Sequence, residues 1–276
     1  MTIRFWGVRG SIPAPGPHTV RYGGNTTCVS VHVGNHVVVL DAGTGIRSLG
    51  AFLAGTDHTL TLLFTHLHTD HISGFPFFAP LFEADRPIDL IPYCDPTQAS
   101  AAWSPLVLMD GTHFPVPATD VPSACRVATA SPATVLKPHG LQLDRLRVNH
   151  PGGAWGYRLT HEGRSFVFIP DNELSAPSST LDRDELTAFC HGADVLCHDA
   201  QYLPSERDER SGWGHSVVSD VQALARAADV GHLVLFHHDP ERSDAAIDHI
   251  QAASREALQP HAIRCTAAYE GLQLTL

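Results

Sequence analysis

The sequence predicts an α/β fold whose ligand site is gathered at the ends of its strands. Two observations carry that prediction. Short apolar runs recur along the chain, and run after run stops at a turn bearing His or Asp. Three further segments carry apolar residues at helical spacing.

Taken in order, residues 37–40 (VVVL) read as a buried strand, ended by Asp41-Ala-Gly-Thr-Gly45. Residues 60–64 form a second, ended by His66-Leu-His68-Thr-Asp70-His71. Residues 141–148 alternate and end at Asn149-His150-Pro151-Gly-Gly153. Residues 165–169 stop at Pro170-Asp171, residues 194–197 at His198-Asp199, and residues 232–236 at His237-His238-Asp239-Pro240. One such ending is unremarkable, but this many argue for loops converging on one place.

Residues 216–229 read as a helix, with Val217, Val221, Leu224 and Ala225 on one face and Ser216 as its cap. Residues 244–258 and 181–190 give two more. From about 82 to 134 the periodicity weakens and proline accumulates, from Pro87 to Pro132. This stretch reads as an irregular insertion in a single domain over 1–276, either a lid over the site or a structural loop.

Bulk properties narrow the function. The chain has 276 residues and a net charge of −11. An acidic surface disfavours broad nucleic-acid binding, leaving a short or RNA substrate as the exception. A small anionic substrate stays open, because a local cationic site outweighs the global field at short range. The six cysteines include no C-x-x-C pair, so idle reduced thiols are expected rather than a disulfide scaffold. The first residues, MTIRFWG, lack a long apolar region and no run reaches membrane-span length. The expectation is a cytoplasmic protein with no membrane partner.

The chain has 19 histidines, and their placement matters more than their number. A lone histidine after a strand is ordinary surface decoration. His66, His68, Asp70 and His71 lie within six positions directly after one. Imidazole and carboxylate together suit zinc and similar ions. In a tight loop His66 and His68 can face one ion, and Asp70 and His71 a neighbouring one. Further ligands must come from elsewhere; His150, Asp171 and His237 each follow a strand. Singly they are weak candidates, since Asp171 also reads as a helix cap and His237 as a surface residue.

The string THLHTDH with these later residues resembles the metallo-β-lactamase superfamily. FWGVRGSIPAPGP, RYGGNTTC, LDAGTG, NHPGG, IPDNE, HDAQY, GWGHS and LVLFHHDP resemble its phosphodiesterase-like branch, related to ribonuclease Z. The motifs run in order from residue 5 to 240. The resemblance implies a four-layer αββα sandwich. It implies one metal on His66, His68 and His150, a second on Asp70, His71 and His237, and Asp171 bridging both. Two divalent ions, Zn²⁺ or Mn²⁺, are the implied cofactors. His237 is preferred to His238 by its position after the strand. Asp70 would also orient the attacking water, and His215 in GWGHS would assist the leaving group; the alternative is a helix-terminus histidine with no catalytic part. Asp199 would hold His215 or His71 from behind, or belong to its turn, and Asp41 would orient a metal-binding histidine. Arg9 and Asn25, in loops rich in glycine, could cradle a phosphate. The implied activity is hydrolysis of small cyclic or linear phosphodiesters. The alternatives are a thioester, lactone or lactam cleaved on the same site, or ribonuclease Z-like RNA cleavage. Relatives in this branch include dimers, so a homodimer stays open.

Overall fold

Chain order builds the molecule as two successive half-domains. The computed structural model describes residues 1–91, 93, 104–175 and 181–276. The first half supplies β1 (Thr2–Gly7), β2 (Cys28–Val33), β3 (His36–Leu40), α1 (Ile46–Leu53), β4 (Thr59–Leu63) and α2 (Thr69–Ile72). It continues with β5 (Pro87–Ile91), β6 (Ala124–Val127) and α3 (Pro132–Leu136). The second half supplies β7 (Gln142–Val148), β8 (Ala154–His161), β9 (Arg164–Ile169), α4 (Arg183–Cys190), β10 (Val195–Asp199) and α5 (Arg207–Arg210). It ends with α6 (Val218–Ala227), β11 (His232–Phe236), α7 (Asp244–Leu258), β12 (Arg264–Ala267) and β13 (Gln273–Thr275).

The first sheet runs β13-β1-β2-β3-β4-β5-β6 and the second β12-β11-β10-β9-β8-β7. In both, antiparallel pairs give way to parallel ones, at β3–β4 in the first sheet and β9–β10 in the second. The sheets pack face to face. Phe5, Val31, Val38 and Leu63 of the first meet Tyr157, Phe166, Phe168 and Phe236 of the second in one buried cluster. The opposite faces are buried too. Val37, Val39, Leu60 and Leu62 lie under Ile46, Leu49 and Leu53 of α1. Val167, Ile169, Leu196 and Leu233 lie under Leu186 of α4, Val221 and Leu224 of α6, and Leu258 of α7. Burial on both faces is why these strands read as unbroken apolar runs rather than alternating ones. The resulting order, helix–sheet–sheet–helix, is the expected αββα sandwich.

Boundaries differ from expectation where a polar side chain has other work. Helix α6 begins at Val218, not Ser216. The Ser216 hydroxyl instead donates to the Asn172 carbonyl, tying this segment to the end of β9. Helix α4 begins at Arg183, because the Asp182 side chain accepts from the Asp184 amide and caps it there. The proline-rich stretch contributes β5 and β6, two parallel strands that widen the first sheet; Pro92, Cys94 and Pro96 lie outside the described residues. The five described cysteines are free thiols. No helix among the described residues is long and apolar enough to cross a membrane.

Two core histidines set an acid limit on stability. His36 meets the Thr59 hydroxyl at 2.7 Å and His232 meets that of Thr266 at 2.9 Å. Burial pushes both down from 6.5 to about 4. Between those values the unfolded chain takes up a proton that the folded chain refuses, so stability falls as pH drops through that window. We expect a loss of roughly 2–3 kcal/mol per histidine between pH 7 and 4. Urea melts of wild type and a His36→Gln/His232→Gln variant at pH 7 and 4.5 check this. The variant should lose less stability on acidification; equal losses would contradict the assignment.

Candidate metal centre

The histidine cluster is shaped by the turn that follows β4. His68 is in extended backbone (φ −62°, ψ 151°), and α2 then begins, placing Asp70 and His71 on its first turn. A single buried carboxylate holds this bend. Asp41 Oδ1 accepts from the Thr65 amide at 2.7 Å, and Oδ2 accepts from the Thr65 hydroxyl at 2.7 Å. The same Oδ2 lies 2.8 Å from His71 Nδ1. That contact places a proton on Nδ1 and turns Nε2 inward. Asp41 (φ 59°) and His237 (φ 58°) both adopt the left-handed backbone that a side chain ordinarily avoids. Such strain costs about 1–3 kcal/mol per residue and gathers where a site demands it.

The other side chains arrive from the second sheet. Asp171, at the end of β9, is buried at the centre. Its Oδ1 lies 3.0 Å from His71 Nε2 and 3.3 Å from His237 Nε2. Its Oδ2 lies 3.9 Å from His66 Nε2 and 3.7 Å from His150 Nε2. His150 Nδ1 donates to the Gly214 carbonyl at 2.9 Å, which aims its Nε2 to within 3.0 Å of His68 Nδ1. His237 follows β11 and points Nε2 to 3.2 Å from Asp70 Oδ2. Its neighbour His238 turns away to the Ala268 carbonyl.

Two trios emerge, His66/His68/His150 and Asp70/His71/His237, each with its ligand atoms within 4.8 Å of one another. His66, His71 and Asp171 join them by the same measure. The cluster also fails to satisfy itself. His66 Nε2, His71 Nε2 and Asp171 Oδ1 are buried and without a hydrogen-bond partner. Groups of this kind cost free energy unless something pairs with them.

Electrostatics point to the same need. Burial would lower the His71 pKa, but Asp171, Asp70 and Asp41 raise it well above the ordinary value. Burial would raise the Asp171 carboxyl, yet His237 and His71 hold it well below the carboxylate range. The carboxylates thus call for positive charge beside His71 Nε2. Meanwhile burial and the neighbouring His71 keep His66 neutral, with its pKa well below the ordinary value. A divalent cation answers both conditions, giving charge to the carboxylates and accepting the lone pairs of neutral imidazoles. The residues present therefore fit metal ions.

His215 stands at the rim. Its Nδ1 lies 2.8 Å from Asp199 Oδ2 and 3.8 Å from Asp171 Oδ2. Burial would depress its pKa, but Asp199 and then Asp171 push it up to about 9. Asp199 is itself fixed by the amides of Asn172 and Gln201. Asp199 therefore braces His215, while His71 is braced by Asp41. A cavity of about 400 Å³, lined by Ser11, His68, Asp70, His150, Asp171 and His215, opens the cluster to solvent.

Two expected substrate contacts are corrected. Arg9 is fully buried, and its guanidinium donates to the carbonyls of Gly23, Asp239 and Arg242. Asn25 is bound through its amide groups to the Glu270 carboxylate. Arg9 is closed off from solvent and Asn25 is held by Glu270, so both brace the N-terminal loop instead. What that loop delivers is a backbone amide, since Ser11 N donates to Asp70 Oδ2 at 2.8 Å. Gly10 is needed beside it, because a Cβ there would lie 2.4 Å from His237 Nδ1. Sequence reasoning also missed Gln201, whose Oε1 lies 3.0 Å from His237 Nδ1. Its one signal is position, two residues past Asp199 in the HDAQY loop.

Comparison with known proteins agrees with this fold. The family model described as Beta-lactamase superfamily domain matches residues 36–238. A protein named Ribonuclease Z from Pseudomonas putida (strain F1) is 24% identical, with 98% of this chain and 95% of the relative covered. Ribonuclease Z of Shouchella clausii is also 24% identical, over 64% of this chain and 68% of the relative. Among solved structures, the metallo-β-lactamase fold protein YhfI from Bacillus subtilis superposes with a TM-score of 0.70 at 16% identity, covering 99% of both chains. A diphosphatase from the PhnP family gives 0.65 at 18% identity, covering 100% of this chain and 97% of that one. Zn²⁺-bound PqqB from Methylobacterium extorquens gives 0.68 at 18%, with both chains fully covered. At these identities the structural likeness is one of fold.

The bond from Gln201 to His237 yields a specific expectation. Partners that orient a metal-binding histidine are worth about 10–100-fold in metal affinity. Gln201→Ala should weaken zinc binding by that factor in a chelator competition, with the melting temperature of the metal-free chain little changed. Unaltered affinity would show that Gln201 does not position His237.

Proposed function

The chain belongs to the β-lactamase superfamily, and on that premise we propose that it is a metal-dependent phosphodiesterase acting on small cyclic or linear phosphodiesters. The observation that carries the reading is the convergence of His66 Nε2, His71 Nε2 and Asp171 Oδ1, buried and unpaired, beside a rim histidine backed by a carboxylate. His66, His68 and His150 would hold one divalent ion, and Asp70, His71 and His237 a second, with Asp171 between them. Zinc and manganese both suit this donor set. Two such cations supply Lewis acidity, lowering the pKa of water and neutralising charge on phosphoryl oxygens.

The chain's own residues do the rest. Asp41, Gln201 and the Gly214 carbonyl each take one ring nitrogen of His71, His237 and His150 and so aim the other inward. Asp70 is kept ionised: burial opposes this, but His71 and His237 more than offset it. Ser11 N donates to the same carboxylate, fixing the oxygen that orients the attacking water. His215 has Nδ1 engaged by Asp199, which leaves Nε2 as the proton donor to the leaving oxygen. The preference for anions is local and coexists with the net charge of −11.

A second reading, ribonuclease Z-like cleavage of RNA, is supported by the names of the sequence relatives. The acidic surface weighs against a polyanion as large as tRNA. A precursor-tRNA cleavage assay separates the two.

His68→Ala should lose bound metal and hydrolysis of bis-p-nitrophenyl phosphate together. His215→Ala should keep its metal content and lose about 10²–10⁴-fold in kcat. A fully active His215→Ala enzyme would remove that residue from the mechanism. Parallel assays with a glutathione thioester and an acyl lactone test the substrate class; turnover of those alone would overturn the phosphodiester reading.

A further inference from the structure

The segment Gly212-Trp213-Gly214-His215 holds more than the rim histidine. Both glycines have positive φ, 84° and 88°. Backbone of this kind turns nearby amides toward one side and makes a concave seat for an anion. The side chain of Glu173 fills that seat. It is buried, and one oxygen accepts from the Gly212 amide at 2.8 Å while the other accepts from the Gly214 amide at 2.9 Å. Hydrogen bonds to an ionised acceptor are roughly twice as strong as neutral ones. A single carboxylate therefore clamps both ends of this turn.

Gly214 in turn reaches two working groups. Its carbonyl accepts from His150 Nδ1 at 2.9 Å, and the next residue in the chain is His215. The two imidazole rings lie 5.4 Å apart. The backbone passes so near that a Cβ at Gly214 would lie 2.4 Å from His150 Nδ1. The main chain of Glu173 is tied to the same place, since its amide donates to the carbonyl of Asn149, the residue before His150, at 2.8 Å. Asp171 lies two residues earlier. Glu173 is thus bound into the three strand-end loops that carry His150, Asp171 and His215. Asp199 holds the ring of His215; Glu173 holds the backbone on which that ring is mounted. Any shift of the Gly214 peptide moves the acceptor of His150 and the main chain of His215 together.

We propose that Glu173 is a positioning residue that sets a metal-binding histidine and the leaving-group histidine jointly, through the one peptide unit of Gly214. The inference rests on the phosphodiesterase reading above and extends it to a side chain outside the reacting groups. It also divides the two ions. His71 and His237 take their aim from Asp41 and Gln201. Only the ion on His66, His68 and His150 should therefore depend on Glu173.

The test takes the full chain through two measurements, with Glu173→Gln, which keeps one acceptor oxygen, and Glu173→Ala, which keeps none. The first is zinc affinity by chelator competition, read as two successive ions. Glu173→Gln should weaken one ion about tenfold and leave the other as in wild type, and Glu173→Ala should weaken that same ion further. Should Glu173→Ala fail to fold, Glu173→Gln decides alone. Two ions unchanged, or both weakened alike, would overturn the proposal. The second measurement compares kcat on bis-p-nitrophenyl phosphate, whose leaving group departs without much help, with kcat on diphenyl phosphate, whose phenolate needs a proton. A displaced His215 penalises the poorer leaving group, so the loss in Glu173→Gln should be about tenfold larger with diphenyl phosphate. Equal losses on the two esters would remove His215 from the reach of Glu173. If wild type turns over neither ester, the phosphodiesterase reading fails, and the split between the two zinc ions still decides whether Glu173 positions His150.

Discussion

A carboxylate buried among imidazoles is the constraint on which the rest of this structure depends. Asp171 is 2% exposed and has ring nitrogens of five histidines within 4 Å. Removing a carboxylate from water is costly unless charge or hydrogen bonds replace the solvent. The surrounding rings do this only in part, and an oxygen of Asp171 is left without a donor. Much of the nearby architecture follows from that deficit. Strand β9 must end where Asp171 can reach the seam between the sheets. The turn after β4 must bend sharply enough to present His66 and His71 to it. Strained backbone at Asp41 and His237 is tolerated because packing from two sheets over-determines both positions.

The fold serves this arrangement by delivering one end of each sheet to a common edge. Both sheets change from antiparallel to parallel pairing, and the parallel strands β3, β4, β9, β10 and β11 all end at the site. The inter-sheet core fixes their relative height, since Phe5 and Phe168 both pack against the ring of Phe236, the residue before His237. A cavity at this edge would shift ligands from both sheets at once. Outside the ligands, each ring is aimed by a fixed acceptor: Asp41 for His71, Gln201 for His237, the Gly214 carbonyl for His150.

Much of this was legible in the sequence because periodicity and strand-end chemistry are local signals. Residues 232–236 and 244–258 match the observed β11 and α7, since a largely apolar run and a segment of amphipathic helical spacing leave few alternatives. The ligand candidates were legible because His and Asp after a strand have few reasons to be there together. What was not legible depends on partners far away in the chain. Arg9 in a loop rich in glycine looks like a phosphate cradle until its partners appear, carbonyls of Asp239 and Arg242 more than 200 residues away. Gln201 carries no metal-ligand signature, so its bond to His237 could only be seen in three dimensions. Strands β5 and β6 are short and lie among prolines, which hides their pairing to β4 and to each other. Ser216 has the right residue type for a cap but spends its hydroxyl on Asn172.

The central claim is that two cations sit on either side of Asp171. Anomalous diffraction from crystals grown with zinc or manganese, recorded at the absorption edge of the metal, tests it most directly. Two peaks are expected, one against His66, His68 and His150 and one against Asp70, His71 and His237, with Asp171 touching both. Absence of anomalous density at this cluster, with the metal present in the crystal, would contradict it.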